Sequence, residues 1–413
     1  MIGLLGKNIN YSYSPYVHSK MGKYEYQLFD ITETNFTKFM HERNFKGINV
    51  TIPYKELVIK HLDYLSDEVK KTNSCNTIIN NNGKLLGYNT DYYGFKTLLQ
   101  RNKVAVYNKN CLILGTGATS RTVKAVLADL HVNNIIIASR DPLKGDVVYD
   151  EIPDDLQPDI IINTTPVGVS PDFRNSVINI NSFVNLEVVI DLIYNPLRTK
   201  LLLDAKDKGV NYINGLMMLV FQAQKSSELF QNNQLDNNVV FGIYKDFKED
   251  LRNIVFIGLP ASGKTTVGKY IAKRINKKLV SIDKTIAAEE KMTISKIFET
   301  KGEEYFRKRE VSLIKEYASK TGQVIDTGGG AVLNEDSMNL LKANGLIVFL
   351  NRDHDKVILR PGKRPLIKNA SDLLKIKKER YNLYLKHADL IISNNYRLEK
   401  SIAVVYNTIS SYE

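Results

Sequence analysis

The alternation of apolar and polar positions changes its rhythm along the chain. Over residues 1 to about 100, short apolar runs such as Ile2-Gly-Leu-Leu5 and Gly47 to Val50 alternate with polar loops, the pattern of strands and turns. From Cys111 the rhythm is strictly βα. Cys111 to Leu114 predicts a strand, and Val123, Val126, Leu127 and Leu130 recur on one face of a predicted helix. Ile135 to Ala138 predicts the next strand, and two more follow over Asp159 to Ile162 and Val188 to Ile193. Gln231 to Asn238, rich in Asn and Gln, predicts a loop, and Val239 to Leu251 a short closing helix. The βα rhythm then restarts. Ile254 to Ile257 suits a buried parallel strand, and Val267, Tyr270, Ile271 and Ile275 form one helical stripe behind it.

Length agrees with several cores: 413 residues predict two or three domains. The pattern divides them into 1–100, 101–251 and 252–413, with almost no linker near Leu251. Hydrophobic content of 43% with 25% charged residues describes ordinary globular domains. The net charge of +12 is scattered, and its densest cluster, Lys375 to Arg380, is interrupted by Ile376 and Glu379. That cluster reads as a solvated helix face, so no nucleic-acid partner is expected; small anionic substrates suit the balance equally. Cys75 and Cys111 have neither a disulfide framework nor metal-ligand spacing, and read as reduced, buried thiols. Met1 leads straight into a strand and no apolar run has membrane-spanning length, so a cytoplasmic chain without a membrane partner is expected, as monomer or homodimer.

Two glycine-rich turns carry most of the chemistry. After the strand ending at Ile257 come Gly258, four residues, and Gly263-Lys264-Thr265. This spacing lets backbone N–H groups wrap a phosphate, with Lys264 reaching the terminal phosphates and Thr265 offering its hydroxyl to Mg²⁺. ATP contacts are expected at Gly258, Ala261, Ser262, Gly263, Lys264, Thr265 and Thr266. The other turn, Gly115-Thr-Gly117-Ala118-Thr119-Ser120, opens a dinucleotide-binding βαβ unit with Ser120 in place of the third glycine. Its second strand ends in Ser139-Arg140-Asp141, with Lys144 shortly after. A guanidinium there suits a 2′-phosphate, so NADP is preferred over NAD. Thr164 at a strand end, and Gly215 and Met218 at the start of a helix, complete the expected coenzyme contacts.

Smaller clusters suggest a substrate. In an extended segment Ser12 and Ser14 point to the same side and can converge on one ligand. Asn49, Thr51 and Lys55 end one strand, and Asn76-Thr77 and Asn89-Thr90-Asp91 lie at other strand ends or loop starts. A lone lysine or aspartate in such places is usually a solvated charge. Their joint occurrence needs another explanation.

Together these residues resemble two families. Ser12-Tyr-Ser14-Pro, Asn49-Val-Thr51-Ile-Pro-Tyr-Lys55, Asn76-Thr77, Asn89-Thr90-Asp91, Gly115-Thr-Gly117 and Gly215 to Gln222 resemble shikimate dehydrogenase over the first 250 residues. The resemblance implies an α/β substrate domain and a Rossmann domain with shikimate in the cleft between them. It implies substrate contacts at Ser12, Ser14, Asn49, Thr51, Asn76, Tyr194 and Gln222, and a catalytic pair of Lys55 and Asp91. From about Arg252 the chain resembles shikimate kinase, a P-loop fold of the nucleoside monophosphate kinase type, through Asp283, Arg307, Gly328-Gly329-Gly330, Arg364-Pro-Leu and Arg380-x-x-x-Tyr384-x-x-x-Ala388. That resemblance implies that Asp283, the glycine run, Arg307 and Arg380 hold shikimate and that Arg364, with Arg360 before it, closes a lid over the phosphates.

Two departures from the kinase pattern stand out. Ser281-Ile-Asp283 replaces the usual Asp-x-Asp, so the aspartate normally linked to Mg²⁺ through water is a serine; Asp326, ahead of the glycine run, is the expected substitute. The lid between Arg360 and Arg364 is also short. The resemblances imply NADPH-dependent reduction of 3-dehydroshikimate and ATP-dependent phosphorylation of shikimate, two steps towards chorismate and the aromatic amino acids. A quinate-type dehydrogenase joined to another small-molecule kinase is the rival enzyme reading, and paired Ser12 and Ser14 with Arg307 and Arg380 argue against it. A non-catalytic assembly is opposed by retention of Lys55, Asp91, Lys264 and Asp283.

Overall fold

Among the described residues three sheets form, each from one stretch of the chain. A computed structural model describes residues 1–171, 173–357 and 369–412. The first sheet holds β1 (Ile2–Gly6), β2 (Tyr26–Asp30), β3 (Gly47–Val50), β4 (Tyr64–Leu65), β5 (Thr77–Asn81) and β6 (Lys84–Tyr88), in the order β2-β1-β3-β5-β6-β4. β1 pairs in parallel with β2 and β3, so the loops after β1 and β3 leave from the same end of the sheet. β5 runs antiparallel to β3 and sets Asn49 opposite Thr77. One strand end thus gathers the polar residues of three separate stretches.

The second sheet holds β7 (Asn110–Leu114), β8 (Asn134–Ser139), β9 (Val147–Val148), β10 (Ile160–Asn163), β11 (Val188–Asp191) and β12 (Asn211–Asn214). Its order is β12-β11-β10-β7-β8-β9, and every pairing is parallel. From β7 the chain winds outward through β8 and β9, then returns to β10 on the other side. This reversal opens a crevice at the carboxyl ends of β7 and β10, where parallel sheets hold ligands. The helix Ala118–Asp129 buries Val123, Val126 and Leu127 against the sheet, as its periodicity predicts.

The third sheet holds β13 (Asn253–Ile257), β14 (Lys278–Ser281), β15 (Gln323–Asp326), β16 (Gly345–Asn351) and β17 (Leu390–Ser393), in the order β14-β15-β13-β16-β17, again all parallel. β13 is buried along its whole length. Apolar clusters cover both of its faces, one around Val255, Ile257 and Phe349, the other around Ile254, Phe256 and Val348. Behind it the helix Lys264–Arg274 buries Val267 and Ile271, but Tyr270 is exposed. Its expected place on the apolar stripe is corrected: the buried face is narrower than the sequence period suggests. On the helix Ala370–His387, Leu373, Ile376 and Arg380 turn inward and Lys375, Lys378 and Glu379 face solvent.

The fold resolves into two compact units. One comprises Met1–Val169, Asn175–Tyr194 and Asp204–Lys248; the other comprises residues 170–174, Asn195–Leu203 and the chain from Glu249 on. Within the second unit the nine residues from Asn195 are firmly tied. The Leu197 N–H donates to Asn344 Oδ1 (2.9 Å) and the Arg198 N–H to the Ala343 carbonyl (2.8 Å). The Arg198 guanidinium donates to the Asp389 carboxylate (3.3 and 3.5 Å) and to the Gly345 carbonyl. Among the described residues no helix is long and apolar enough to cross a membrane. Cys75 and Cys111 are free and buried, and burial pushes both thiols up to about 12.

Candidate active sites

The first site grows from the loop after β1. Ser12 and Ser14 are not in an extended segment, as the sequence suggests. Pro15 starts a helix, Ser14–Ser19, and the chain turns sharply before it. The hydroxyls still converge, because the turn brings Ser12 Oγ to 3.1 Å from Ser14 Oγ and lets it accept the Ser14 N–H (3.2 Å). Tyr13 lies edge-on to Tyr194, ring centroids 6.2 Å apart, which brings the residue after β11 to this loop. Burial pushes the Tyr194 hydroxyl up to about 12, so it stays a protonated donor at neutral pH.

Asn49 is buried at the end of β3 with its amide orientation settled. Oδ1 accepts from the Tyr26 hydroxyl (2.7 Å), and Nδ2 donates to Thr77 Oγ1 (3.0 Å) and the Asn76 carbonyl (3.4 Å). Asn76 Oδ1 in turn accepts the Thr90 N–H (2.7 Å) and hydroxyl (3.1 Å). This chain of bonds runs directly into the helix Thr90–Arg101, whose first turn carries Asp91. Asp91 Oδ2 accepts from Lys55 Nζ at 2.6 Å, and the two side chains are 10% and 14% exposed. Low exposure and a short bond hold the ammonium in one place while leaving it a route to a ligand. Thr51 begins the same loop as Lys55, its N–H donating to the Leu5 carbonyl (2.9 Å).

Gln222 lies on the helix Leu216–Gln231, which packs tightly on the Thr90 helix at Gly94. A side chain at Gly94 would lie 2.7 Å from the Met218 carbonyl and 2.9 Å from Gln222 Cβ. The glycine lets the helix carrying Asp91 and the helix carrying Gln222 approach. Sequence reasoning overlooked His18 and Tyr26. His18 is buried, its ring stacked on Tyr26 (4.1 Å, 9°), and its Nδ1 bonds the Tyr24 hydroxyl (2.6 Å). Burial drives its pKa down to about 3, so it supports Asn49 through Tyr26 as a neutral ring. A single histidine in a helix gives no sequence signal for such a part.

The coenzyme residues meet at the crevice of the second sheet. Gly115 has φ +107°, a backbone that side chains disfavour, and a Cβ there would press on Thr164 Oγ1 at 2.8 Å. Thr164 is held by its hydroxyl donating to the Leu114 carbonyl (2.7 Å). The helix carrying Ala118 and Thr119 begins after Gly117 with no side-chain cap, and a Cβ at Gly117 would meet nothing within 4 Å. Open space before uncapped N–H groups fits a pyrophosphate. Gly215 opens its helix against the Leu192 backbone with no room for a side chain, and Met218 is buried one turn on. At the end of β8, Ser139 is buried, Arg140 is exposed, and Lys144 pairs with Asp141 at 3.3 Å.

The other site surrounds the loop after β13. Lys264 Nζ donates to the Gly258 (2.8 Å) and Leu259 (3.0 Å) carbonyls, folding the ammonium into the loop formed by Gly258, Ala261, Ser262 and Gly263. Thr265, next to Thr266 in the helix, donates to Asp326 Oδ2 at 2.6 Å, and Ser281 Oγ donates to the same oxygen at 3.0 Å. A hydroxyl–carboxylate set of hard oxygens beside a phosphate loop fits Mg²⁺.

Asp283 is half-buried beyond β14, and its buried Oδ1 has no hydrogen-bond partner among the described residues. Burial, and then the charges of Glu310 and Asp326, push it up to about 6 against the pull of Lys264 and Arg307. The glycine run sits over it. A Cβ at Gly328 would lie 2.6 Å from Asp283 Oδ1 and 2.5 Å from Glu310 Oε1, and one at Gly330 would collide with the Arg307 guanidinium. Arg380 Nη1 (3.0 Å) and the Tyr384 hydroxyl (2.6 Å) both donate to the Gly329 carbonyl. Glu310, overlooked in the sequence, accepts from Arg307 Nη1 at 2.7 Å, and burial raises its pKa. Its signal was available: Arg307 and Glu310 stand three apart on one helix. Arg360 and Arg364 lie outside the described residues.

Comparison with known proteins follows the same division. Residues 4–78 match the family model of the shikimate dehydrogenase substrate binding domain, and residues 260–410 match the model of shikimate kinase. A shikimate dehydrogenase (NADP(+)) of Clostridium beijerinckii is 36% identical over 268 residues, covering 60% of this chain and 98% of that protein. Among solved structures, a chorismate mutase/shikimate 5-dehydrogenase fusion protein from Clostridium acetobutylicum has 33% identity and a TM-score of 0.57, covering 60% of this chain and 97% of the other. A shikimate 5-dehydrogenase from Thermus thermophilus, in complex with NADP(H) and shikimate, has 26% identity and a TM-score of 0.54, covering 59% and 98%.

Proposed function

The chain belongs to the shikimate dehydrogenase family over its first three-fifths and carries a shikimate kinase module behind it, and from that premise we propose that it catalyses two consecutive steps. The first reduces 3-dehydroshikimate to shikimate with NADPH; the second phosphorylates shikimate with ATP to shikimate 3-phosphate. The Lys55–Asp91 pair, buried at 2.6 Å beside the Asn49–Asn76–Thr90 network, carries the dehydrogenase reading. The cytoplasm, where NADPH and ATP are both supplied, is the setting proposed for the two reactions.

In the first site Gly115, Gly117 to Thr119, Thr164, Gly215 and Met218 would hold NADPH, which when bound would supply the hydride for the carbonyl carbon. The chain supplies the proton: the Lys55 ammonium donates it to the carbonyl oxygen while Asp91 holds that ammonium in position. Ser12, Ser14, Thr51, Asn49, Asn76, Tyr194 and Gln222 bind the substrate carboxylate and hydroxyls. Fixed hydrogen bonds within this set lower the entropy lost in orienting it.

In the second site Asp283 orients the shikimate hydroxyl and accepts its proton. A carboxylate pushed to about 6 is a better base near neutrality than an ordinary one. Arg307 and Arg380 bind the substrate carboxylate as planar forks, with Glu310 steadying Arg307. Lys264 exchanges the Gly258 and Leu259 carbonyls for phosphate oxygens. Thr265 and Asp326 would hold Mg²⁺, which when bound would offset charge on the transferring group. Asp326→Ala is expected to raise the Mg²⁺ concentration for half-maximal kinase turnover at least several-fold; an unchanged Mg²⁺ dependence excludes the assignment.

One reaction mixture tests the whole proposal. With 3-dehydroshikimate, NADPH and Mg-ATP supplied together, coenzyme oxidation and phosphorylated shikimate are both expected. Oxidation without phosphorylated product excludes the kinase half.

A further inference from the structure

At the end of β8 the loop carries two residues with opposite demands on a coenzyme. Arg140 is an exposed cation of the kind that receives a 2′-phosphate, and Asp141 is a carboxylate of the kind that accepts from a free ribose hydroxyl. The carboxylate is not adrift in solvent. Its backbone N–H donates to the buried Ser139 Oγ (3.0 Å), and its Oδ1 accepts the Leu143 N–H (3.1 Å). Lys144 Nζ lies 3.3 Å from Oδ2. One of the two cations available for a 2′-phosphate is therefore already paired within the loop. The Leu143 N–H and Lys144 hold the Asp141 carboxyl below its ordinary range, so it is ionised at neutral pH. Of the other groups nearby, Asp146 is turned to the Ile137 N–H (2.8 Å) and Tyr149 lies towards Arg140.

We propose that Asp141 is a specificity-determining residue that opens the dinucleotide site to NAD(H) as a second coenzyme beside NADP(H). This rests on the dehydrogenase reading above. A 2′-phosphate must draw Lys144 away from Asp141 and then sit beside an ionised carboxylate. A free 2′-hydroxyl donates to that carboxylate and leaves the Lys144 pair intact. The penalty falls on NADP(H) alone, because the 2′ position is where the two coenzymes differ. A charge of nearly −2 a few ångströms from a carboxylate in high dielectric is disfavoured by about tenfold, or about 1.4 kcal/mol.

The test uses the full chain with 3-dehydroshikimate and either NADPH or NADH, comparing the parent with Asp141→Asn, Asp141→Thr and Lys144→Ala. NADH is expected to support turnover in the parent. Both Asp141 substitutions should raise the NADPH-to-NADH ratio of kcat/KM about tenfold, through KM for NADPH with kcat unchanged. Lys144→Ala should lower that ratio. Calorimetry with adenosine 2′,5′-bisphosphate and adenosine 5′-monophosphate provides a readout free of catalysis, and the affinity ratio should move with the kinetic one. Asp141 is 38% exposed, so folding is not at stake in these variants. The inference is overturned if both ratios stay within about twofold on removing the Asp141 charge, or if NADH supports no turnover in an enzyme active with NADPH. Absence of turnover with either coenzyme would instead sink the dehydrogenase reading, and calorimetry would still decide the part played by Asp141.

Discussion

At the scale of single residues, the roles proposed for Lys55 and Asp283 differ in kind. As the proposed proton donor Lys55 would act from a fixed position, so Lys55→Ala should lower dehydrogenase kcat by about 100-fold or more while KM for the substrate changes little. Steady-state kinetics check this, and a variant with near-parental kcat rejects the assignment. Asp283 acts only when ionised. With its pKa raised to about 6, kcat/KM for phosphorylation should be level above that pH and fall about tenfold per unit as pH drops through it. A pH–rate profile flat down to pH 5 would contradict this. Both residues were legible in the sequence because charged side chains recurred in recognisable company. His18 was not, since an imidazole becomes informative only when burial removes the water it otherwise faces.

At the scale of elements, short segments set where the side chains go. Sequence spacing correctly brought the Ser12 and Ser14 hydroxyls together but for the wrong local reason; a turn into the Ser14 helix does it, driven by Pro15. The Thr90 helix does more than its sequence suggests, presenting Asp91 to Lys55 and, one turn on, the Gly94 notch to the Leu216 helix. Gly94→Ala should destabilise the first unit by about 1–3 kcal/mol through overpacking. It should also raise KM for 3-dehydroshikimate more than KM for NADPH, because the added Cβ meets the Gln222 side chain but only the backbone carbonyl of Met218. Thermal unfolding and the two KM values check the pair of effects; equal changes in both constants would leave Gln222 without its proposed contact. In the third sheet, parallel register sets Ser281 opposite Asp326, so a carboxylate on β15 stands where one from β14 could have reached.

At the scale of the whole molecule, the chain forms two compact units whose membership does not follow sequence order throughout. Asn195–Leu203, between two strands of the second sheet, belongs to the second unit. Arg198 reaches Asp389, whose side chain is 1% exposed. Replacing Arg198 with Ala takes a guanidinium from a buried carboxylate, which costs about 3–5 kcal/mol in such pairs. The urea midpoint for loss of kinase activity should therefore fall, and an unchanged midpoint would show that Asp389 is satisfied without it. Periodicity could not have revealed this, since a loop's partners are chosen by what its polar groups meet in space.

The sequence by itself determined the strand-and-turn pattern of the first stretch, the two βα rhythms behind it, the two glycine-rich turns, and the residue types that the proposed shikimate chemistry requires. Those depend on local spacing: strand and helix periods, glycine positions and charge order are properties of neighbours along the chain. Tertiary structure alone decided that Asn49, Asn76 and Thr90 form one hydrogen-bonded line ending beside Asp91, that one Asp326 oxygen accepts from both Thr265 and Ser281, and that Asp283 is raised towards neutrality. Each depends on strand register or burial, which place residues far apart in the chain within ångströms and strip them of water.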